Sequence, residues 1–101
     1  MSAYRLTKRA DADLFNIFLY GIQTFGLTQA KHYTESMSRC FQLLADTPAM
    51  GRKAEAIAGN VRRHEHRSHV ILYEEEVDGV LILAIVHSRS LRALRDVLDA
   101  E

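Results

Sequence analysis

Two apolar runs joined by a short polar segment dominate the second half of the chain. Residues 70–73 and 80–86 are continuously apolar, and between them lie three glutamates, 74–76, and the pair Asp78-Gly79. An Asp-Gly pair favours a type I′ turn, because both central residues of that turn need positive φ. The pattern therefore predicts a β-hairpin whose loop is Asp78 and Gly79.

Counting outward from that loop assigns each strand residue to one of two faces, because side chains alternate along a strand. Val77 would pair with Val80, and His87 would lie opposite Val70. One face carries Val70, Leu72, Glu74, Leu81, Leu83, Ile85 and His87, and the other carries Ile71, Tyr73, Ile82, Ala84 and Val86. Both faces are apolar near the middle, whereas an antiparallel sheet with one wet face alternates. Another element or another chain must therefore pack on each face of the hairpin.

Apolar residues at helical spacing predict two helices in the first half of the chain. The first begins near Asp11 or Asp13, either of which can act as its N-cap or as an acid in its first turn, and it ends at Gly26. The second begins near a Thr28 cap and ends before Pro48. Their apolar positions are Leu14, Phe15, Ile17, Phe18, Ile22 and Phe25, then Leu27, Ala30, Tyr33, Met37, Cys40 or Phe41, and Leu44.

The remaining segments complete an α+β domain. Residues 3–6 alternate like a short strand, residues 48–60 read as a turn and loop, and residues 61–66 read as a polar strand. Ser88 or Ser90 can cap a last helix over about residues 90–99. The order β-α-α-β-β-β plus a C-terminal helix predicts one domain over residues 1–101, with a helical hairpin packed on a small, mainly antiparallel sheet.

The helical hairpin is expected to cover one face of that sheet, and the side chains enclosed between them form the predicted core. Its members are Leu14, Phe18, Ile22, Tyr33, Met37, Leu44, Ile71, Tyr73, Ile82, Ala84 and Val86. The opposite face is an apolar patch that soluble monomers rarely leave open. We expect the C-terminal helix to cover part of it and another chain the rest. The residues concerned are Leu72, Leu81, Leu83 and Ile85 on the sheet and Leu91 and Leu94 on the helix.

Charge and cysteine content narrow the functional classes. The 13 Lys and Arg residues balance 13 Asp and Glu residues, so no global field recruits nucleic acid or membrane. Residues 51–69 are locally basic, with five Lys/Arg against two acids, a net charge of +3. A single cysteine excludes an internal disulfide, and no apolar run approaches the roughly 18 residues of a membrane span. We expect a soluble, cytoplasmic protein.

Most candidate catalytic groups have a structural interpretation. His64, His66 and His69 have ligand-like spacing, but nothing nearby completes a tetrahedral set, so a polar strand edge is favoured over a metal site. The three glutamates read as a solvated run beside a turn. Cys40 reads as a small core residue. The sequence contains no phosphate-binding loop, and we expect neither a metal nor a cofactor.

His87 is more informative, because it ends a buried strand beside basic residues. The strand register is expected to gather it with Arg62, Arg63 and Arg89 near one edge. It is either a strand-end histidine bonded to backbone or part of a surface that contacts a partner or an RNA phosphate.

Several segments, in order, resemble the ParE toxins of the RelE/ParE superfamily. They are residues 4–10 with Asp13-Leu14, Phe25-Gly26 with Gln29-Ala30 and Tyr33, residues 48–52, Arg62 and Arg63, residues 69–73 and residues 85–87. The resemblance runs from about Tyr4 to His87. It implies a type II toxin that inhibits DNA gyrase without catalysing a reaction and that is neutralised by a ParD-like antitoxin in a hetero-oligomer.

The superfamily also contains RelE-like, ribosome-dependent ribonucleases. That branch often has an arginine where this chain has Val70 and a tyrosine where it has Ser88, whereas His87 is retained. Cleaving a phosphodiester needs a cation and a base. An mRNA interferase with His87 as acid or base is therefore the main alternative, and a non-toxic member that only binds its antitoxin is another.

The resemblance and the predicted register together assign candidate sites. The target-binding candidates, which would be catalytic in a ribonuclease, are Arg62, Arg63, His87 and Arg89; the antitoxin-binding candidates are Leu72, Leu81, Leu83, Ile85, Leu91 and Leu94. Neither a membrane nor a specific nucleic-acid sequence is expected as a partner.

Overall fold

The computed structural model describes residues 2–54, 57 and 59–90. It contains two helices, α1 (Lys8–Phe25) and α2 (Leu27–Asp46), followed by a 3-10 turn at Pro48–Met50. The strands are β1 (Ala3–Leu6), β2 (Arg52–Lys53), β3 (Arg62–His66), β4 (His69–Glu76) and β5 (Gly79–His87). Residues 88–90 are helical, and the rest of the predicted C-terminal helix, with Leu91 and Leu94, lies outside the described residues.

The five strands form one sheet in the order β1-β5-β4-β3-β2. β1 runs parallel to β5, and the other neighbours are antiparallel. Both helices pack on one face of this sheet, so the predicted α+β architecture is confirmed. The short edge strand β2 was not predicted, because two exposed basic residues carry no strand periodicity.

The helix caps differ from the prediction. Thr7 caps α1, since its hydroxyl accepts a hydrogen bond from the Ala10 N–H at 3.0 Å. The capping role predicted for Asp11 or Asp13 is therefore wrong, whereas the alternative role is confirmed for Asp11, which is an acid in the first turn of α1. Gly26, with φ 92°, ends α1 and also precedes α2, which has no side-chain cap, so the predicted Thr28 cap is wrong.

The β4–β5 loop lies one residue earlier than predicted. Glu76 pairs with Gly79, which makes Val77 and Asp78 the loop residues. Gly79 has φ 149° and lies against β1, where an added Cβ would collide with the Ala3 carbonyl. The glycine is required by this close approach of two strands and not by a type I′ turn.

A β-bulge then changes the faces of β5. Tyr73 pairs with Ile82 and Leu72 with Ala84, so Leu83 has no partner on β4. The extra residue reverses the alternation beyond it. Ile85 now pairs with Ile71 and belongs to the core beneath the helices.

Four face assignments were therefore wrong, and one of them is His87, which pairs with His69 on the helix-covered face. Ile85 is 4% exposed on the helix-covered face and does not belong to the opposite one. Ala84 and Val86 are on the opposite face, because their partners are Leu72 and Val70.

Two polar side chains from the helical layer bond the irregular strand. Thr7 donates its hydroxyl hydrogen to the Leu83 carbonyl at 2.8 Å. The Asp13 carboxylate accepts the Ile85 N–H at 3.0 Å. These bonds satisfy backbone groups at and beyond the bulge, which would otherwise carry a desolvation cost. The start of α1 is thus tied to β5.

The core combines the inner sides of α2 and of the hairpin. Its buried members are Ala10, Met37, Cys40, Phe41, Leu44, Ala45, Ile71, Tyr73, Val80, Ile82 and Ile85. Met37, Leu44, Ile71, Tyr73 and Ile82 were predicted correctly. Leu14 and Tyr33 pack on its edge, whereas Phe18 and Ile22 are only half-buried. Cys40 is a core residue as predicted, and burial raises the pKa of its thiol.

Tyr73 joins the core to the chain that leaves α2. Its ring is fully buried, and its hydroxyl donates to the Pro48 carbonyl at 2.6 Å and accepts the Gly51 N–H at 2.8 Å. The turn after α2 is therefore fixed by one side chain of β4.

We predict that Tyr73→Phe lowers the free energy of unfolding by about 1–3 kcal/mol, because it leaves the Gly51 N–H and Pro48 carbonyl without their partner. Urea denaturation measures the loss. Tyr20→Phe is the matched control, since the Tyr20 ring is 64% exposed. Equal stability of the two variants would contradict the structural role of the Tyr73 hydroxyl.

Candidate functional site

The four predicted target-binding residues do not meet at one edge. Arg62 and Arg63 follow each other on β3, so their side chains emerge on opposite faces. Arg62 donates to the Gly51 carbonyl at 2.8 Å, and Arg63 contacts the Glu65 carboxylate at 3.0 Å. The expected gathering of these cations with His87 is wrong.

His87 and Arg89 lie at the other end of the sheet. His87 pairs with His69 and not with Val70, because the bulge shifts the register. His66 pairs with His69, the neighbour of His87, and so marks this end of the sheet on β3. Arg62 is four residues from His66 along β3, a separation of about 13 Å. The side chain of His87 is exposed, and its Nδ1 accepts the Arg89 N–H at 3.1 Å.

A row of three histidines crosses this end of the sheet. His66 pairs with His69 across the β3–β4 turn, and His69 pairs with His87. The His69 and His87 rings meet edge to face with centroids 5.5 Å apart. The register therefore replaces the predicted polar edge of His64, His66 and His69 with a row that faces the helices.

Helix α2 bonds two members of this histidine row. Tyr33 Oη lies 2.6 Å from His69 Nδ1, and Ser36 Oγ lies 3.0 Å from His66 Nε2. Ser36 donates its own hydrogen to the Tyr33 carbonyl, so His66 donates to Ser36. Among the described residues, no group of three or more His, Cys, Asp or Glu side chains has an arrangement that would hold a metal.

Burial favours the neutral forms of His66 and His69. It lowers the pKa of His69, with His87 and His66 adding repulsion, and it raises the pKa of Tyr33. Both groups are therefore neutral near pH 7, and the histidine tautomer decides which of them donates across the 2.6 Å contact. The Tyr33 hydroxyl also donates to the His66 carbonyl at 3.4 Å. The pKa of His66 is lowered by burial and by Arg67 and His64.

An open cleft of about 910 Å³ lies between the helical hairpin and this end of the sheet. Ile17, Tyr20 and Phe25 form its apolar helical wall, and Arg67 and the histidines lie at its sheet end. The helix spacing did not reveal the cleft, because it predicts only that the apolar stripes of the two helices face each other and the sheet.

The helical layer carries much of the exposed apolar surface. Phe15, Tyr20 and Phe25 are 59%, 64% and 68% exposed, respectively. On the sheet face opposite α1 and α2, Leu72, Leu81 and Leu83 are half-buried. Adjacent apolar pairs in α1, such as Leu14-Phe15, were the signal that its apolar stripe is wider than one contact needs.

Arg67 occupies a strained position at the sheet end of the cleft. Its φ is 55°, the left-handed region, which costs an L-residue about 1–2 kcal/mol. Its guanidinium lies 6.0 Å from the Tyr33 ring centroid, and an exposed cation–π contact returns only about 0.5–1 kcal/mol. This position is therefore not optimised for stability, and the sequence alone did not single out Arg67.

Comparison with known proteins decides the family. The profile described as "ParE toxin of type II toxin-antitoxin system, parDE" matches residues 4–92. The chain belongs to the ParE toxin family. It is 34% identical over 93 residues to Toxin ParE1 of Caulobacter vibrioides, covering 92% of this chain and 97% of that protein.

More distant relatives agree with the family. Toxin ParE1 of Mycobacterium tuberculosis is 26% identical over 89 residues, covering 87% of this chain and 91% of that protein. A solved structure described as "Chromosomal ParDE TA system from P. aeruginosa" has a TM-score of 0.72 at 21% identity, covering 86% of this chain and 96% of that one. The latter supports the fold.

Membership of the ParE family agrees with the prediction of a toxin that binds its target and is not an enzyme. Within the part of the chain that the structure describes, no helix is long and apolar enough to span a membrane.

We predict that stability falls as the pH drops below about 6.5, the ordinary histidine value, because the unfolded chain takes up protons that the folded row resists. The stabilisation that comes from keeping His66 and His69 neutral is fully present above that pH and is lost as the pH falls through their lowered pKa values. Unfolding free energies at about pH 7.5 and pH 5 measure it.

His69→Asn should reduce this pH dependence. His32→Asn, which removes an exposed histidine of α2, controls for loss of a histidine as such. An unchanged pH profile in His69→Asn would contradict the role of the row.

Proposed function

We propose that this ParE-family toxin inhibits DNA gyrase by binding it and is held inactive by a ParD-like antitoxin. The family match over residues 4–92 carries the proposal. The likeness of the fold to a solved ParDE system supports an antitoxin partner. The cytoplasm, where gyrase acts, is the corresponding location.

The arrangement of the basic residues favours binding over RNA cleavage. A ribonuclease site needs a cation and a base at the same phosphate. Arg62 and Arg63 lie on opposite faces of β3, toward the end of the sheet away from His87. Of the three candidate arginines, only Arg89 is a near neighbour of the histidine. Scattered basic groups suit a broad protein contact better than a single reacting centre.

Within this proposal the target-binding candidates are unequal. His87 and Arg89 are exposed at the end of the sheet, where a large partner can reach them. Arg62 and Arg63 are 21% and 17% exposed and already contact acidic side chains of β4 and β3. We therefore expect the sheet end to contribute more to target binding than the β3 arginines.

The antitoxin candidates on the sheet face opposite α1 and α2 are Leu72, Leu81 and Leu83. All three are half-buried, so each still presents part of an apolar side chain. An amphipathic antitoxin segment with apolar anchors three to four residues apart fits such a surface.

We predict that inducing the toxin without antitoxin causes DNA breaks and an SOS response and leaves mRNA intact. Alanine at Arg62, Arg63, His87 and Arg89 together should abolish growth inhibition, whereas Arg39→Ala on exposed α2 should not. His87→Ala alone should cost less than about tenfold, because a general acid or base contributes about 10² to 10⁴. Rapid mRNA cleavage would contradict gyrase as the target.

A second prediction concerns the antitoxin. Leu81→Glu with Leu83→Glu should weaken antitoxin binding at least about 30-fold, the loss typical of interface hot spots. Leu43→Glu is the control, since Leu43 is 57% exposed on α2. Calorimetric titration of folded proteins measures the affinity, and undiminished binding by the double variant would exclude this face.

A further inference from the structure

We propose that the outer face of α1 is a self-association surface, which pairs antiparallel with α1 of a second copy of this toxin. The surface, which we call the outer seam, consists of Phe15, Phe18, Leu19 and Ile22. None of these four residues lines the cleft. The inference concerns contact between two toxin chains and does not depend on the identity of the target or of the antitoxin.

Helix α1 carries two apolar seams, and the fold uses only one of them. The inner seam packs on the core and on α2, and its members are Ala10, Leu14, Ile17 and Gly21. The positions that follow the last three carry Phe15, Phe18 and Ile22. Because successive residues are about 100° apart around a helix, these side chains project from a different face of α1. None of the three belongs to the core cluster.

The outer seam has the spacing and the exposure of a helix-binding surface. Phe15 is 59% exposed and Leu19 is 40% exposed, while Phe18 and Ile22 are half-buried. Apolar residues that alternate at steps of three and four form the contact line of a coiled coil. A soluble chain rarely leaves a contiguous apolar surface of this kind without a partner. The fitting partner is therefore another helix.

The charge pattern of the hairpin makes a second copy the matching partner. No charged residue occurs in the sequence between Asp13 and Lys31, so the outer seam is uncharged throughout. A two-fold contact needs such a surface, because the same patch meets itself and any charge near the axis meets its own sign. A seam selected for a charged partner segment would instead carry complementary charges.

The residue that extends the outer seam toward the start of α1 sets the direction of the pair. Lys8 precedes Phe15 by seven residues and therefore lies on the same line of the helix. Parallel packing would set Lys8 against its own copy, which is a like-charge contact. Antiparallel packing keeps the two lysines at opposite ends. When Phe15 lies opposite Ile22 of the second copy, Phe18 lies opposite Leu19.

The same register gives each end of the pair a polar contact. Asp11 is exposed in the first turn of α1 and forms no ion pair with any residue that the structure describes. It would lie opposite Gly26 of the second copy, where α2 begins without a side-chain cap. The N–H groups of residues 27–29 precede the first backbone bond of α2, which Ala30 donates to the Gly26 carbonyl. A carboxylate is favoured at such a helix end.

Sedimentation velocity of the purified full-length toxin over a range of concentrations tests the proposal. We expect a monomer–dimer equilibrium with a micromolar dissociation constant, because one helix pair buries less than the roughly 1,600 Å² of a standard interface. Phe15→Glu with Leu19→Glu should weaken dimerisation at least about 100-fold, since each charge enters the contact twice. Leu43→Glu is the control, because Leu43 is 57% exposed on α2 outside the seam. Circular dichroism verifies that both variants fold.

A second pair of variants tests the polar contact. Asp11→Ala should weaken dimerisation about fivefold, because two helix ends of the dimer lose a carboxylate. Glu35→Ala, which removes an exposed acid from α2, should leave the dissociation constant unchanged. Equal effects of the two substitutions would contradict the proposed register.

Oxidative cross-linking tests the antiparallel direction. The native Cys40 is buried and does not compete for the reaction. Leu19→Cys lies near the two-fold axis and should form a disulfide with its own copy. Phe15→Cys should cross-link only when it is mixed with Ile22→Cys. A disulfide between two copies of Phe15→Cys would contradict antiparallel pairing.

Three results would overturn the proposal. The first is a wild-type toxin that stays monomeric at every concentration up to the millimolar range. The second is a dimer that Phe15→Glu with Leu19→Glu leaves intact, which would place the contact on another surface. The third is a monomeric wild type whose binding to the antitoxin is lost in the same double variant, which would assign the outer seam to that partner.

Discussion

The structure depends on one irregularity in β5, the unpaired residue Leu83. An extra residue reverses side-chain alternation, so everything beyond it changes face. The bulge is held by Thr7 and Asp13, which bond the Leu83 carbonyl and the Ile85 N–H from the start of α1. These two bonds fix the register of β5 relative to the helical layer as well as relative to β4.

The arrangement of side chains at the sheet end follows from that change of face. Beyond the bulge, Ile85 enters the core and His87 lies opposite His69 on the helix-covered side. Tyr33 and Ser36 of α2 then bond the neighbouring histidines. The row, the cleft and the link between α2 and the sheet end therefore have a common origin in the register of one hairpin.

The helical hairpin combines two functions that compete for apolar residues. Its inner side builds the core through Met37, Phe41 and Leu44, while Tyr20 and Phe25 remain exposed at the cleft. Exposed aromatic rings lower solubility and contribute little to the free energy of folding. At the sheet end of the same cleft, Arg67 has a strained backbone. In a toxin that is held by a partner, such features are better explained by binding than by stability.

The sequence by itself determined both long helices, every strand except β2, their order and the family, because periodicity, turn residues and segment order are local properties of the chain. It also identified most of the central core, including Ile71, Tyr73 and Ile82. It did not determine the faces beyond Leu83, because a bulge depends on whether neighbouring elements satisfy the displaced backbone groups. Only the tertiary structure decided where the cations lie and how the histidine row and the cleft are built. All three depend on a strand register between residues that are far apart in the sequence, and no local pattern encodes that register.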